Sequence, residues 1–181
     1  DSSNDTLINV TITGNTSTNY GSGIYVFDAT TLTLNNVIVY NNSGSQICLW
    51  TWSDVINISY SNIEGGLTSI CTSFQDANAT INWLEGNIDS NPIFVDPDNG
   101  DYTLQFTSPC IDKGDPDLDG DGETWYVDTD DQDPDGTRLD MGAYPFDQIA
   151  FPIIYGCMDA SAGNYNPDAN FENGSCDYDG N

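Results

Sequence analysis

Gly23-Ile24-Tyr25-Val26, Gln46-Ile47-Cys48-Leu49 and Ser69-Ile70-Cys71-Thr72 follow one another at a constant spacing of 23 residues. A second series runs beside them. Leu7, Val10 and Ile12 recur 27 positions on as Leu34, Val37 and Val39, and another 24 on, more weakly, as Ile58, Ser61 and Ile63. Short alternating strands rich in Val, Ile and Thr, parted by Asn, Gly and Ser turns at a period of 23–27, describe the coils of a solenoid. One coil cannot bury its own apolar residues. Stacking coils at about 4.8 Å lines Ile24, Ile47 and Ile70 into one ladder and pairs their backbones. Asn15, Asn41 and Asn42 fall at turns, where asparagine suits the left-handed backbone of a tight corner. The competing reading, a β-sandwich with accidental spacing, must explain why two independent series keep nearly the same period.

The charge balance is extreme. The chain holds 29 acidic residues against two basic ones, Lys113 and Arg138, with no histidine and a net charge of −27. Only Glu64, Glu85, Glu123 and Glu172 are glutamates. Aspartate competes with a helical backbone, so this bias points to turns and to oxygen cages for hard cations. Such a charge repels nucleic acid and anionic surfaces, and bound divalent cations would relieve the self-repulsion. No apolar run approaches the ~18 residues of a membrane span, so no membrane insertion is expected. A chain opening on Asp1 reads as a piece of a longer precursor. Five cysteines with almost no lysine suggest an oxidising, extracellular setting.

Asn62-Ile63-Glu64-Gly65-Gly66, Asn87-Ile88-Asp89-Ser90-Asn91-Pro92-Ile93-Phe94-Val95-Asp96, Gly100-Asp101-Tyr102-Thr103-Leu104, Ser108-Pro109-Cys110-Ile111-Asp112 and Arg138-Leu139-Asp140-Met141-Gly142-Ala143-Tyr144 resemble the C-terminal region of secreted, pectate-lyase-like right-handed parallel β-helix surface proteins of bacteria and archaea. The resemblance covers roughly residues 5–146. It implies an all-β fold: a right-handed parallel β-helix of about three coils over residues 1–146, with an Asp-rich loop region at 113–140. It implies little about activity, because one such helix serves enzymes, adhesins and fibres alike. A connector at 147–156 leads to residues 157–181, whose Gly156-Cys157-Met158-Asp159, Asn164-Tyr165-Asn166-Pro167-Asp168-Ala169 and Asn173-Gly174-Ser175-Cys176 are similar to a small two-cysteine module found near the ends of large secreted microbial proteins. A module that short needs a staple.

Asp117, Asp119, Asp121 and Asp128 occupy positions 1, 3, 5 and 12 of a loop with Gly122 at position 6, the spacing by which a 12-residue loop wraps Ca²⁺. An aspartate at position 12 resembles the calcium loops of dockerin modules. Position 7 ligates through its carbonyl, so the Glu123 side chain is expected to be peripheral. The bland alternative is a solvated acidic loop, in which the carboxylates would repel one another strongly. A second run, Asp131, Asp133, Asp135 and Gly136, repeats the opening, but its twelfth position is Gly142, which offers no side-chain ligand. It resembles a thrombospondin-type calcium loop; a turn with an Asp140–Arg138 ion pair is the equal alternative.

Cys157 and Cys176 bracket the tail and are expected to pair. Cys48 and Cys71 fall at equivalent positions of consecutive coils, which brings their α-carbons within disulfide range. A plain packing row with Tyr25 remains open there. For Cys110 three fates stand: buried and inert, paired with Cys71, or linked to another chain. Glycan acceptor sequences occur at Asn4, Asn9, Asn15, Asn41, Asn57, Asn78 and Asn173.

No catalytic residue is assigned and no enzymatic activity is expected. Lyases of the resembled fold use an arginine or lysine, and the two here lie in the Asp-rich segment. With no histidine, a serine or cysteine lacks an imidazole base. The coil acids Asp5, Asp28, Asp54, Glu64, Asp76 and Glu85 form no paired set. The expected function is a Ca²⁺-stabilised extracellular subunit that self-associates end to end into a filament or appendage. The alternative is a stalk or adhesin whose Tyr20, Trp50 and Trp52 stack on a neutral glycan.

Overall fold

The computed structural model describes residues 3–18, 21–27, 30–51, 53–72 and 79–178. It divides into two compact units, Asp1–Phe146 and Asp147–Asn181. Regular structure in the described residues is strand and short 3₁₀ turn, with no α-helix.

In the first unit the chain visits three sheets in rotation. β1 (Asn4–Ile8), β2 (Thr11–Thr13) and β3 (Ile24–Val26) make the first pass. β4 (Thr31–Asn35), β5 (Ile38–Tyr40) and β6 (Ile47–Leu49) make the second. β7 (Val55–Ser59), β8 (Asn62–Ile63) and β9 (Ile70–Thr72) make the third. β10 (Thr80–Trp83) starts a fourth pass, continued by Ile88, which bridges Asn62. The sheets run β1-β4-β7-β10, β2-β5-β8 and β3-β6-β9, parallel throughout. Ile24, Ile47 and Ile70 are register partners in one sheet.

Alternation explains the core. Leu32 and Leu34 in β4 and Ile56 and Ile58 in β7 point inward, while Thr31, Thr33, Val55 and Asn57 are only half-buried. Val37, Val39, Ile47, Leu49 and Ile63 complete the buried cluster. The middle sheet differs. Its inner face supplies Val39, while Ile38 on the outer face packs with Leu104, Cys110, Met141 and Phe146. The consecutive apolar run Val37-Ile38-Val39 is the mark of a strand covered on both faces. The cover is residues 88–146, which include the antiparallel hairpin β11 (Phe94–Asp96) and β12 (Asp101–Leu104). Gly142 seals it: with φ +97, its amide donates to Asn36 O, and a Cβ there would fall 2.7 Å from Ile38 Cδ1.

The corners only partly follow the sequence reading. Asn41 is left-handed as expected, with φ 56, but the other left-handed asparagines are Asn9 and Asn36. Asn15 and Asn42 act instead through their amides: Asn42 Oδ1 accepts from both Asn15 N and Asn15 Nδ2 at 3.0 Å. The chain of amides runs on from Asn42 through Gln46 to Glu64, each link 2.8 Å long. Asp54 staples another corner. Fully buried, it accepts from Thr30 N, Trp50 N, Thr51 N and the Thr51 hydroxyl.

Cys48 and Cys71, register partners in β6 and β9, form a disulfide with α-carbons 4.6 Å apart. Cys110 is free and buried, accepting a bond from Asn62 Nδ2; burial pushes its thiol up to about 11. That makes it a packing residue, inert at neutral pH.

The second unit is small. β13 (Tyr155–Gly156) pairs in parallel with β14 (Phe171–Glu172), so the end of the 147–156 stretch is itself part of the tail's sheet. Cys157–Cys176 closes it with α-carbons 4.8 Å apart. Cys157 and Ala162 are its only buried apolar side chains among the described residues. With so little core, stability rests on the crosslink. Replacing both cysteines by serine is expected to cost about 3 kcal/mol by loop-closure entropy. Amide resonances of Tyr155 to Tyr178 should then collapse toward random-coil shifts while those of the three-sheet unit stay dispersed.

Candidate metal centre

Residues 112–146 leave the hairpin as a loop rich in Asp, Gly and Pro, and aspartates in such a loop fold back on their own backbone. Asp115 accepts from Asp117 N, Asp119 from Asp121 N, and Asp121 from Glu123 N. Asp117 accepts from Gly122 N, which closes the first turn. Gly120 and Gly122 take φ values of 76 and 89, a backbone that side chains resist. The result is convergence. Oxygens of Asp117, Asp119 and Asp121 lie within 4.8 Å of one another, as do those of Asp121, Glu123 and Asp128. Asp121 belongs to both sets. Glu123, expected at the periphery, thus brings its carboxylate to the second set. Asp128 also caps the 3₁₀ turn Thr129–Asp131, accepting from Asp130 N. All-carboxylate sets of this kind suit a hard divalent cation.

The second acidic run scatters. Asp133 N bonds Thr137 O and Gly136 N bonds Asp133 O, so the segment is a tight turn. Asp135 accepts from Thr137 N and its hydroxyl. Asp133 turns inward, accepting from Asp140 N, and Asp140 accepts from Asp112 N and Phe146 N, each 2.7 Å away. Burial and the Asp140 charge push Asp133 up to about 8, and burial with the charges of Asp112 and Asp135 pushes Asp140 up to about 6. The two form a buried carboxyl–carboxylate pair. Asp131, at the foot of the first loop, is fully buried, and its Oδ1 accepts from Leu118 N at 2.6 Å. Arg138 donates to Gly114 O and lies 5.7 Å over the Tyr60 ring, a placement different from the Asp140–Arg138 pair of the sequence alternative.

Of the glycan acceptor sites, Asn4, Asn15, Asn41 and Asn173 are exposed. Asn9 is half-buried, and Asn57 sits in a surface amide ladder, accepting from Asn82 and donating to Thr33. Asn78, Tyr20, Trp52, Asp28 and Asp76 lie outside the described residues. Sequence reasoning missed Asp54, Asn62, Asp131's burial and the Asp133–Asp140 pair. Asn62 is fixed by Ser90 and Cys110, and Asp54 reaches across to Thr30, contacts that bring together distant parts of the chain.

No protein-family model, curated protein or solved structure matches the chain. Among the described residues no helix is long and apolar enough to cross a membrane. The two disulfides fit an oxidising compartment.

Proposed function

We propose that this chain is the end portion of a secreted, pectate-lyase-like right-handed parallel β-helix, and that it serves as a Ca²⁺-stabilised structural subunit of an extracellular filament or surface appendage assembling end to end. One observation carries the reading: β1, β2 and β3 occupy the outer position of their three sheets at the same end of the stack. Among the described residues no further strand lies outside them, and an outermost strand can template the addition of another. A groove at that end is lined by Leu7, Ile24, Tyr25, Val26, Phe27 and Leu32, with Asp5, Thr6 and Thr30 adding polar groups. Ile8, Tyr25 and Phe27 are 44–53% exposed there. A second copy presenting the β10 and β9 edges would continue the ladders that begin at β1 and β3 and cover that groove.

Two of the coil acids, Asp54 and Glu64, support a non-enzymatic role. Asp54 is committed to four donors, and Glu64 accepts from Asn41 N and Gln46 Nε2. Neither is free for acid–base work.

A specific observation favours the stalk or adhesin alternative. Tyr25 lies 6.4 Å from Phe27 at an interplanar angle of 17° and 5.9 Å from Trp50, an aromatic platform suited to a neutral sugar.

Sedimentation velocity and negative-stain microscopy, in Ca²⁺ and in EDTA, separate the readings. Assembly end to end gives fibres or concentration-dependent oligomers in Ca²⁺ that shorten in EDTA. A monomer at every concentration in both buffers, together with neutral-glycan binding lost in Tyr25→Ala, hands the case to the alternative.

A further inference from the structure

We propose that Asp131 supplies a buried carboxylate oxygen to a divalent cation, Ca²⁺ by its donor set, held by the convergent carboxylates Asp117, Asp119 and Asp121 of the loop above it. The inference rests on the calcium reading of that loop and adds to it a ligand from beneath, outside the 12-residue spacing.

The observation is one atom. Asp131 is fully buried, and while Oδ1 accepts from Leu118 N, Oδ2 is buried with no hydrogen-bond partner. The Leu118 amide lies between Asp117 and Asp119, so the carboxylate is held against the loop's first turn. The charges that act on it are those of Asp128, Asp117 and Asp119, all negative. A buried anion among anions needs a counter-charge. Arg138 is held on Gly114 O and over the Tyr60 ring, and Lys113 is exposed while Asp131 is buried. A water would satisfy the orphaned oxygen's hydrogen bond but leave four carboxylates uncompensated. A cation does both.

The position has a structural consequence. Asp131 O accepts from Leu139 N, and the same stretch continues to Gly142, whose amide donates to Asn36 O at the corner between β4 and β5. A cation held from below thereby tightens the segment that covers Ile38. One held only by the exposed loop would not.

Tb³⁺ luminescence sensitised through Trp125, with Ca²⁺ competition, reads binding in the unmodified protein and in Asp131→Asn and Asp119→Asn. The Asp131→Asn side chain retains the oxygen that accepts from Leu118 N and removes the charge. The expected result is binding by wild type, with Ca²⁺ affinity lowered roughly tenfold or more in both variants. If wild type binds and Asp119→Asn weakens binding while Asp131→Asn leaves it unchanged, the role of Asp131 is overturned and the loop reading survives. If wild type binds no Tb³⁺ or Ca²⁺, both fall. Should Asp131→Asn not fold, hydrogen exchange on the wild type decides. Ca²⁺ must then slow exchange in peptides covering 131–142 as well as 117–128; slowing confined to 117–128 overturns the proposal.

Discussion

In EDTA, the folded three-sheet unit loses stability as pH rises from about 4 to about 8, against the trend of ordinary acidic proteins. The cause is the Asp133–Asp140 pair. Both carboxyls titrate above the usual carboxylate value of 3.8, Asp133 at about 8 and Asp140 at about 6, with burial the first cause in each. Between 3.8 and those values the folded state keeps a proton that the unfolded chain has released. Unfolding therefore releases protons throughout that window. The stabilisation is complete below the unfolded value and is lost as pH climbs through the folded one. Each retained proton gives a slope of about 1.4 kcal/mol per pH unit. Urea midpoints measured at half-unit steps should fall across the window, and Asp133→Asn should flatten most of the fall. An asparagine there is neutral at every pH and still offers an acceptor to Asp140 N and a donor to the Asp140 carboxylate, as the protonated acid does. Self-repulsion at a net charge of −27 also grows with pH, so the variant is the discriminating arm. A wild-type midpoint that rises steadily from pH 4 to 7, or an unchanged slope in Asp133→Asn, would contradict the buried pair.

Leu34→Ala is expected to destabilise by about 3–4 kcal/mol, and Leu7→Ala by only about 1 kcal/mol. The two are register partners in β1 and β4, on the same inward row. Leu34 is fully buried between rungs on both sides, whereas Leu7 has a rung on one side only and stays half-buried. In a stack where each rung touches only its neighbours, the cost of a deletion follows the number of neighbouring rungs. Chemical denaturation at low protein concentration measures the difference. The same pair probes assembly. If a second copy docks on the β1 edge, the cost of Leu7→Ala grows with protein concentration toward that of Leu34→Ala, because docking supplies the missing rung. Equal costs at high dilution would mean that Leu7 is already enclosed and that the edge is not open.

How far the sequence can be read follows from where each contact originates along the chain. The 23-residue series put Ile24, Ile47 and Ile70 on one row and Cys48 beside Cys71, because in a stacked parallel sheet a constant repeat is the register itself. Locality likewise made the convergence of Asp117, Asp119 and Asp121 legible, since the three lie within one local turn. Corner chemistry was half legible. Asparagine marked the turns, but whether it acts through a left-handed backbone, as at Asn36, or through its amide, as at Asn42, depends on what the next rung offers it.

The periodic amino-acid pattern was enough, by itself, to specify stacked parallel strands, the row of Ile24, Ile47 and Ile70, and the nearness of Cys48 to Cys71, all of which follow from the alternation of side chains and the repeat length. Tertiary structure alone decided that Ile38 is covered by Met141, that Ala143 N reaches Thr11 Oγ1 across 132 residues, and that Asp131, Asp133 and Asp140 are buried while Asp117 to Asp128 stay near water. The physical reason is desolvation. A carboxylate's fate depends on which distant segment removes its water, and nothing in its neighbouring sequence encodes that segment's arrival.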